Sequence, residues 1–171
     1  EGPAQMMAEN DAVITCLPRP DISAQTVEGL GGLPEAVGPG KTWLEMSTTD
    51  AEEIKRLGAK VIAAGGEAVD CPVSGGCHRA GTGNISIFAG ATRASFERVL
   101  PILTTMGRRV LHTGELGSAS VLKVITNYLA TANLVSCCEA LVIAKAAGLD
   151  LATSYEGIAI SSGTSFVHET E

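Results

Sequence analysis

Hydrophobic and polar positions follow two alternating periods along the first two-thirds of the chain. Short apolar, β-branched runs at 12–16, 42–46, 68–73, 85–89 and 109–112 read as strands. Stretches with a period near 3.6 lie between them. Residues 23–30 read as a helix followed by a loop over 31–40. Asp50 is placed to cap a helix reaching about residue 63, because Ala51, Ile54, Leu57 and Val61 fall near one face. Residues 94–106 are helical in pattern, and Pro101 is expected to kink or break them. Strands alternating with helices predict an α/β fold with an at least partly parallel sheet.

From Ser118 the pattern changes. No Gly or Pro occurs from Ser120 to Ala147, and Gly148 offers a helix stop. Apolar residues cover most of the circumference of this stretch, which predicts a long helix packed on several sides. Leu149-Asp150 then begins a second helical unit.

Composition narrows the function classes. Hydrophobic residues make up 45% of the 171, enough for a substantial core. The net charge of −7 and the lack of any Lys/Arg cluster argue against nucleic-acid binding. No apolar run reaches the roughly 18 residues that span a bilayer, so no membrane association is expected. The start, Glu1-Gly2-Pro3-Ala4, lacks the basic and apolar regions of a signal peptide. None of the five cysteines forms a CxxC pair, and Cys137 and Cys138 are adjacent on a helix, so their side chains diverge. Cys16, Cys71, Cys77, Cys137 and Cys138 therefore read as small buried thiols of a reduced cytosolic protein, and no metal site is expected.

Candidate chemistry lies in two places. Asp70-Cys71-Pro72-Val73-Ser74-Gly75-Gly76 reads as a buried strand ending in two glycines, where the missing Cβ atoms let backbone N–H groups approach a small anion. Downstream, Lys123 and Asn127 are four residues apart and share one helix face. A serine hydroxyl with exposed N–H groups can hold a carboxylate, and a lysine desolvated on an apolar helix can take up or release a proton near neutral pH. The alternatives are a plain tight turn at Gly75-Gly76 and a lysine snorkelling beside a helix end. Ligands of open α/β sheets gather beyond the carboxyl ends of strands, where Leu17-Pro18 and Ser47-Thr48 also fall. Those two could equally be a strand terminus and a residue before a helix cap. His78, next to the glycine pair, reads as a surface side chain.

In this order the Ser74-Gly75-Gly76 loop and the Lys123–Asn127 pair resemble the β-hydroxyacid dehydrogenases, the family of 3-hydroxyisobutyrate dehydrogenase and tartronate semialdehyde reductase. The resemblance covers nearly all residues present. It implies a partial Rossmann-like, dinucleotide-binding domain over 1–116, and the long helix and start of an all-helical domain over 117–171. The family's glycine-rich GxGxxG loop occurs nowhere in the sequence, and residues 1–10 resemble the end of a helix ahead of the fourth strand. The chain is thus expected to be an internal fragment, inactive by itself.

By the same resemblance Lys123 is the catalytic acid/base. Ser74, Gly75, Gly76 and Asn127 hold the substrate, and Leu17, Pro18 and Thr48 contact NAD or NADP. Two departures bear on substrate fit. Ala119 stands where the family usually has the second glycine of Gly-x-Gly, and Ala91 replaces the second residue of a common Gly-Gly pair. Thr126 precedes Asn127 where the related 6-phosphogluconate dehydrogenases carry His, which argues against a phosphosugar substrate.

The implied activity is hydride transfer between NAD(P) and a small 3-hydroxy acid such as 3-hydroxyisobutyrate. The alternatives are reduction of glyoxylate or succinic semialdehyde, and a non-catalytic nucleotide-binding or interaction module. The full-length parent is expected to be a homo-oligomer in the cytoplasm, with import into an organelle left open.

Overall fold

The structure, a computed structural model, describes residues 2–170. Contacts divide it into two compact units, Glu1–Val124 and Ile125–Glu171.

The first unit is a mixed six-stranded sheet flanked by helices. Its elements run α1 (Pro3–Glu9), β1 (Ala12–Thr15), α2 (Pro20–Glu28), β2 (Thr42–Glu45), α3 (Ala51–Ala63), β3 (Glu67–Asp70), β4 (Val73–Ser74), α4 (Gly76–Gly81), β5 (Ser86–Gly90), α5 (Arg93–Met106) and β6 (Arg109–Gly114), with a short 3-10 turn at Leu33–Glu35. β1, β2 and β3 pair in parallel, as do β5 and β6. β3 and β4 lie end to end along β5, both antiparallel to it. The apolar run over 68–73 predicts one strand. The break falls at Cys71-Pro72, because Pro72 has no N–H for the ladder and contributes only its carbonyl, which accepts from Phe88 N–H at 3.0 Å.

Alternation along the strands builds two cores. Trp43 and Ala68 face one, with Met7, Val27, Ile54, Leu57 and Val61 from α1, α2 and α3. Their neighbours Leu44 and Val69 face the other, with Phe96, Val99 and Leu103 from α5. β2 is buried along its whole length, as a central strand covered on both faces must be. The Trp43 indole N–H reaches Thr15 Oγ1 at 2.8 Å, which keeps a fully buried donor satisfied.

Asp50 does cap α3, accepting from the N–H groups of Glu52 and Glu53. Two helices depart from expectation. α2 starts at Pro20, not residue 23, since proline suits the first helical position, where its missing N–H costs nothing. α5 runs unbroken through Pro101. The proline lies on the exposed side, where the chain can bend outward around the ring.

α6 (Ser118–Ala146) begins in the first unit and continues into the second, which adds α7 (Leu151–Ala159) and α8 (Phe166–Thr170). α6 ends as Gly148 predicts. With φ of +82°, Gly148 donates to Lys145 O and Leu149 to Ala144 O, both at 3.0 Å, which closes a Schellman motif. Asp150 then caps α7 through Thr153 N–H at 2.9 Å.

The expectation that α6 packs on several sides is not met. Ala119 and Ser120 are its buried residues, while Val124, Leu129, Val135, Val142 and Ile143 are exposed. By length and composition this 29-residue helix could also cross a membrane, with mean hydropathy of 1.4 over its best window. The sequence pattern does not predict such a span, because Thr, Ser and Asn are interspersed among the apolar residues of the helix.

Candidate active site

A cavity of about 410 Å³ lies where the predicted segments meet in the first unit. Leu17 and Pro18 reach it from the turn after β1, Ser47 and Thr48 from the turn after β2, Gly75 and Gly76 from the end of β4, and Lys123 from α6. Ser74 stands just before the glycine pair, on β4, and does not line the cavity. Asn127 follows Lys123 by one turn of α6, in the second unit. His78 is exposed, as expected.

Short bonds hold the first two turns together. Leu17 N–H donates to Ser47 Oγ at 2.7 Å, and Ser47 N–H donates to Glu45 Oε1 at 2.7 Å. Thr48 is left exposed at the rim while its neighbours Ser47 and Thr49 are buried. Gly75 and Gly76 have φ of +129° and +72°. A Cβ on Gly75 would lie 2.8 Å from Arg79 Cδ, whereas none would be obstructed at Gly76. The demand for glycine at Gly76 is therefore conformational rather than steric.

α6 is held to the sheet by Asp70. This residue is fully buried at the end of β3, and its two oxygens accept from Ser120 N–H at 2.7 Å and Ser120 Oγ–H at 2.8 Å. A carboxylate so placed satisfies an orphan donor of the helix start and complements its dipole. Lys123 follows Ser120 by three residues, so the bond sets where the lysine emerges. Gly90 lets β5 approach the same helix start, because a Cβ there would fall 2.8 Å from Ser118 Oγ and 2.9 Å from Glu115 O. Ala119 is completely buried at this contact, so its methyl group is packed rather than presented to a ligand.

Electrostatics distinguish the two ionisable groups. Burial removes water from the Lys123 ammonium and lowers its pKa below the usual lysine value. Burial raises the Asp70 pKa, the bonds from Ser120 oppose that, and the neighbouring Glu45 adds to the rise. Glu45 pairs with Asp70 in the β2–β3 register.

The sequence pattern assigns no role to Asp70 or Ser120, and places Ser47 only within the candidate turn Ser47-Thr48. A carboxylate inside an apolar strand was the available signal for Asp70, since it is rarely buried without a partner. The thiols need correction. Cys71 alone is buried, while Cys16, Cys77 and Cys138 are exposed and Cys137 is half-buried. Cys16 and Cys77 line the cavity, one just after β1 and the other in the first turn of α4, where the core does not cover them.

Residues 1–114 match the family profile described as the NAD binding domain of 6-phosphogluconate dehydrogenase. Residues 117–171 match that of the NAD-binding region of NADP-dependent 3-hydroxyisobutyrate dehydrogenase. The chain is 34% identical to 2-(hydroxymethyl)glutarate dehydrogenase of Eubacterium barkeri, over 100% of this chain and 57% of that protein. It is 31% identical to glyoxylate/succinic semialdehyde reductase 1 of Arabidopsis thaliana, over 87% of this chain and 52% of that one. The chain thus spans about half the length of the curated relatives it matches. In structure it superposes on Mycobacterium tuberculosis 3-hydroxyisobutyrate dehydrogenase, solved with L-serine, with a TM-score of 0.87 at 24% identity, covering 98% of this chain and 56% of that one. The profile over the sheet, the profile over the helices and the relatives agree: this chain belongs to the β-hydroxyacid dehydrogenase family.

Proposed function

We propose that the full-length protein transfers hydride between NAD or NADP and a small 3-hydroxy acid, with Lys123 as the general acid/base. The observation that carries this is the presence of Lys123 in one cavity with the Leu17-Pro18 turn, Thr48 and the Gly75-Gly76 pair. When bound, the nicotinamide supplies or accepts the hydride. The residues present fit its ring and ribose: Leu17 and Pro18 offer an apolar wall, and Thr48 an exposed hydroxyl. The chain has no GxGxxG sequence to hold the pyrophosphate.

Lys123 performs the proton half of the reaction. In oxidation its neutral amine accepts the proton of the substrate hydroxyl, and in reduction its ammonium donates one to the developing alkoxide. The lowered pKa makes both forms accessible nearer neutral pH. Backbone donors at Gly75 and Gly76, next to Ser74 on β4, hold the substrate carboxylate. The exposed apolar residues of α6 support burial against a second copy, making the protein a homo-oligomer.

The proposal is tested by following nicotinamide absorbance in the full-length protein with 3-hydroxyisobutyrate, 2-(hydroxymethyl)glutarate, glyoxylate and succinic semialdehyde. Turnover of none of them, under conditions where cofactor binds, would refute it. At the carboxylate site, Gly76→Val is expected to raise KM for the acid by about tenfold or more, because a β-branched residue at φ of +72° must rearrange the loop. The cofactor Kd is expected to change little. Equal losses for both ligands would assign the loop a purely structural part.

A further inference from the structure

The second unit holds a cysteine–histidine pair that the proposed hydride transfer does not use. Cys137, on α6, places its Sγ 3.1 Å from His168 Nδ1 on α8. His168 is 4% exposed, and the other ring nitrogen, Nε2, lies 3.0 Å from the backbone carbonyl of Tyr155. A carbonyl oxygen can only accept, so Nε2 carries the proton, and Nδ1 of the neutral ring is left with its lone pair towards sulfur. The thiol S–H therefore donates to Nδ1.

Two further contacts hold the ring in this orientation. The Tyr155 ring stacks on it at 4.1 Å between centroids, and Tyr155 OH donates to the His168 carbonyl at 2.7 Å. This is the arrangement of an activated nucleophile: a thiol, a base within reach, and a third group fixing the tautomer of that base. Proton transfer from sulfur to Nδ1 leaves both imidazolium N–H groups with acceptors, the thiolate and the Tyr155 carbonyl.

Cys137 also lines a cavity of about 410 Å³, walled by Asn133, Ser136, Ser162, Thr164 and Ser165. Hydroxyl and amide groups there can bind a small polar molecule against the sulfur. We propose that Cys137 is a reactive thiol, with His168 as its base, and that it is modified by small hydroperoxides entering this cavity. The thiolate attacks the terminal peroxide oxygen, an S–O bond forms and the O–O bond breaks. Sulfur is oxidised by two electrons to the sulfenic acid while the peroxide is reduced. The departing hydroxide or alkoxide takes the proton from His168 Nδ1, giving water or an alcohol and restoring the neutral ring.

Cys138 is the internal reference, because it is adjacent in sequence, more exposed, and has no histidine hydrogen-bonded to it among the described residues. The native protein is treated at neutral pH with limiting iodoacetamide or, separately, with hydrogen peroxide and dimedone. Fragmentation of the peptide carrying both cysteines then locates each adduct. Cys137 is expected to label at least about tenfold faster than Cys138 in both reactions, despite lower exposure. His168→Gln is expected to abolish that preference and leave the Cys138 rate unchanged. Labelling of Cys138 at an equal or greater rate in the native protein overturns the proposal, whatever the folding of the variant. A preference that survives His168→Gln in a folded protein also overturns it.

Discussion

Lys123→Met is expected to lower kcat by about a hundredfold or more in the full-length protein, the range for losing a general acid/base. Single-turnover hydride transfer, read by nicotinamide absorbance, is the measurement. Folding is expected to survive, because the ammonium is held in a partly dehydrated place that lowers its pKa. The native state then binds fewer protons than the unfolded chain between the lowered and the ordinary lysine pKa, and stability rises with pH across that window. Below it the desolvated charge on Lys123 opposes folding. Lys123→Arg is expected to stay inactive, since a guanidinium keeps its proton at every working pH. With the proposed role, oxidation by the full-length protein should accelerate, and reduction slow, as pH rises through the Lys123 pKa. A Met variant turning over at the native rate would remove Lys123 from the mechanism.

Asp70→Ala is expected to destabilise the protein by about 3 kcal/mol, the cost of stranding a buried N–H and a buried hydroxyl. Both Ser120 donors that Asp70 accepts would lose their acceptor. Denaturant unfolding measures this. Turnover should suffer as well, with kcat falling about tenfold and KM changing less, because α6 carries Lys123 and a small displacement of a proton donor is costly. Asp70→Asn separates the two effects. Its amide can accept from Ser120 N–H and donate to Ser120 Oγ, so the helix stays tethered while the charge is gone.

The sign of the pH dependence follows from the raised pKa of Asp70. The folded state holds this proton more tightly than the unfolded chain. The contribution to stability is therefore full below the unfolded pKa and is lost as pH rises through the folded one. The Asn variant lacks that loss, so the native protein's stability relative to it should fall across the same window and then level off. A constant difference between the two proteins from acid to neutral pH would mean that Asp70 carries no such shift.

Much of the fold could be read from local pattern. The capped start of α3 at Asp50, the Schellman end of α6 at Gly148 and the strand at β2 each follow from side chains within a few residues, so the sequence alone suffices. Lys123 and the glycine pair were also legible, because an ammonium in an apolar helix and two adjacent glycines after a strand are unusual in themselves. Their meeting in one cavity was not, since it depends on how α6 enters the sheet.

The tertiary structure alone decided that entry. Asp70 and Ser120 are 50 residues apart, and nothing local in either pairs a buried carboxylate with a particular helix start. The same limit explains the thiols. A cysteine's hydrophobicity is intrinsic, but its burial depends on what packs over it, and the Cys137–His168 contact joins residues 31 positions apart. The run of helix at α5 through Pro101 has the same origin: the intrinsic cost of a proline is fixed by its ring, while the packing of Phe96, Val99 and Leu103 that outweighs it is supplied by the sheet.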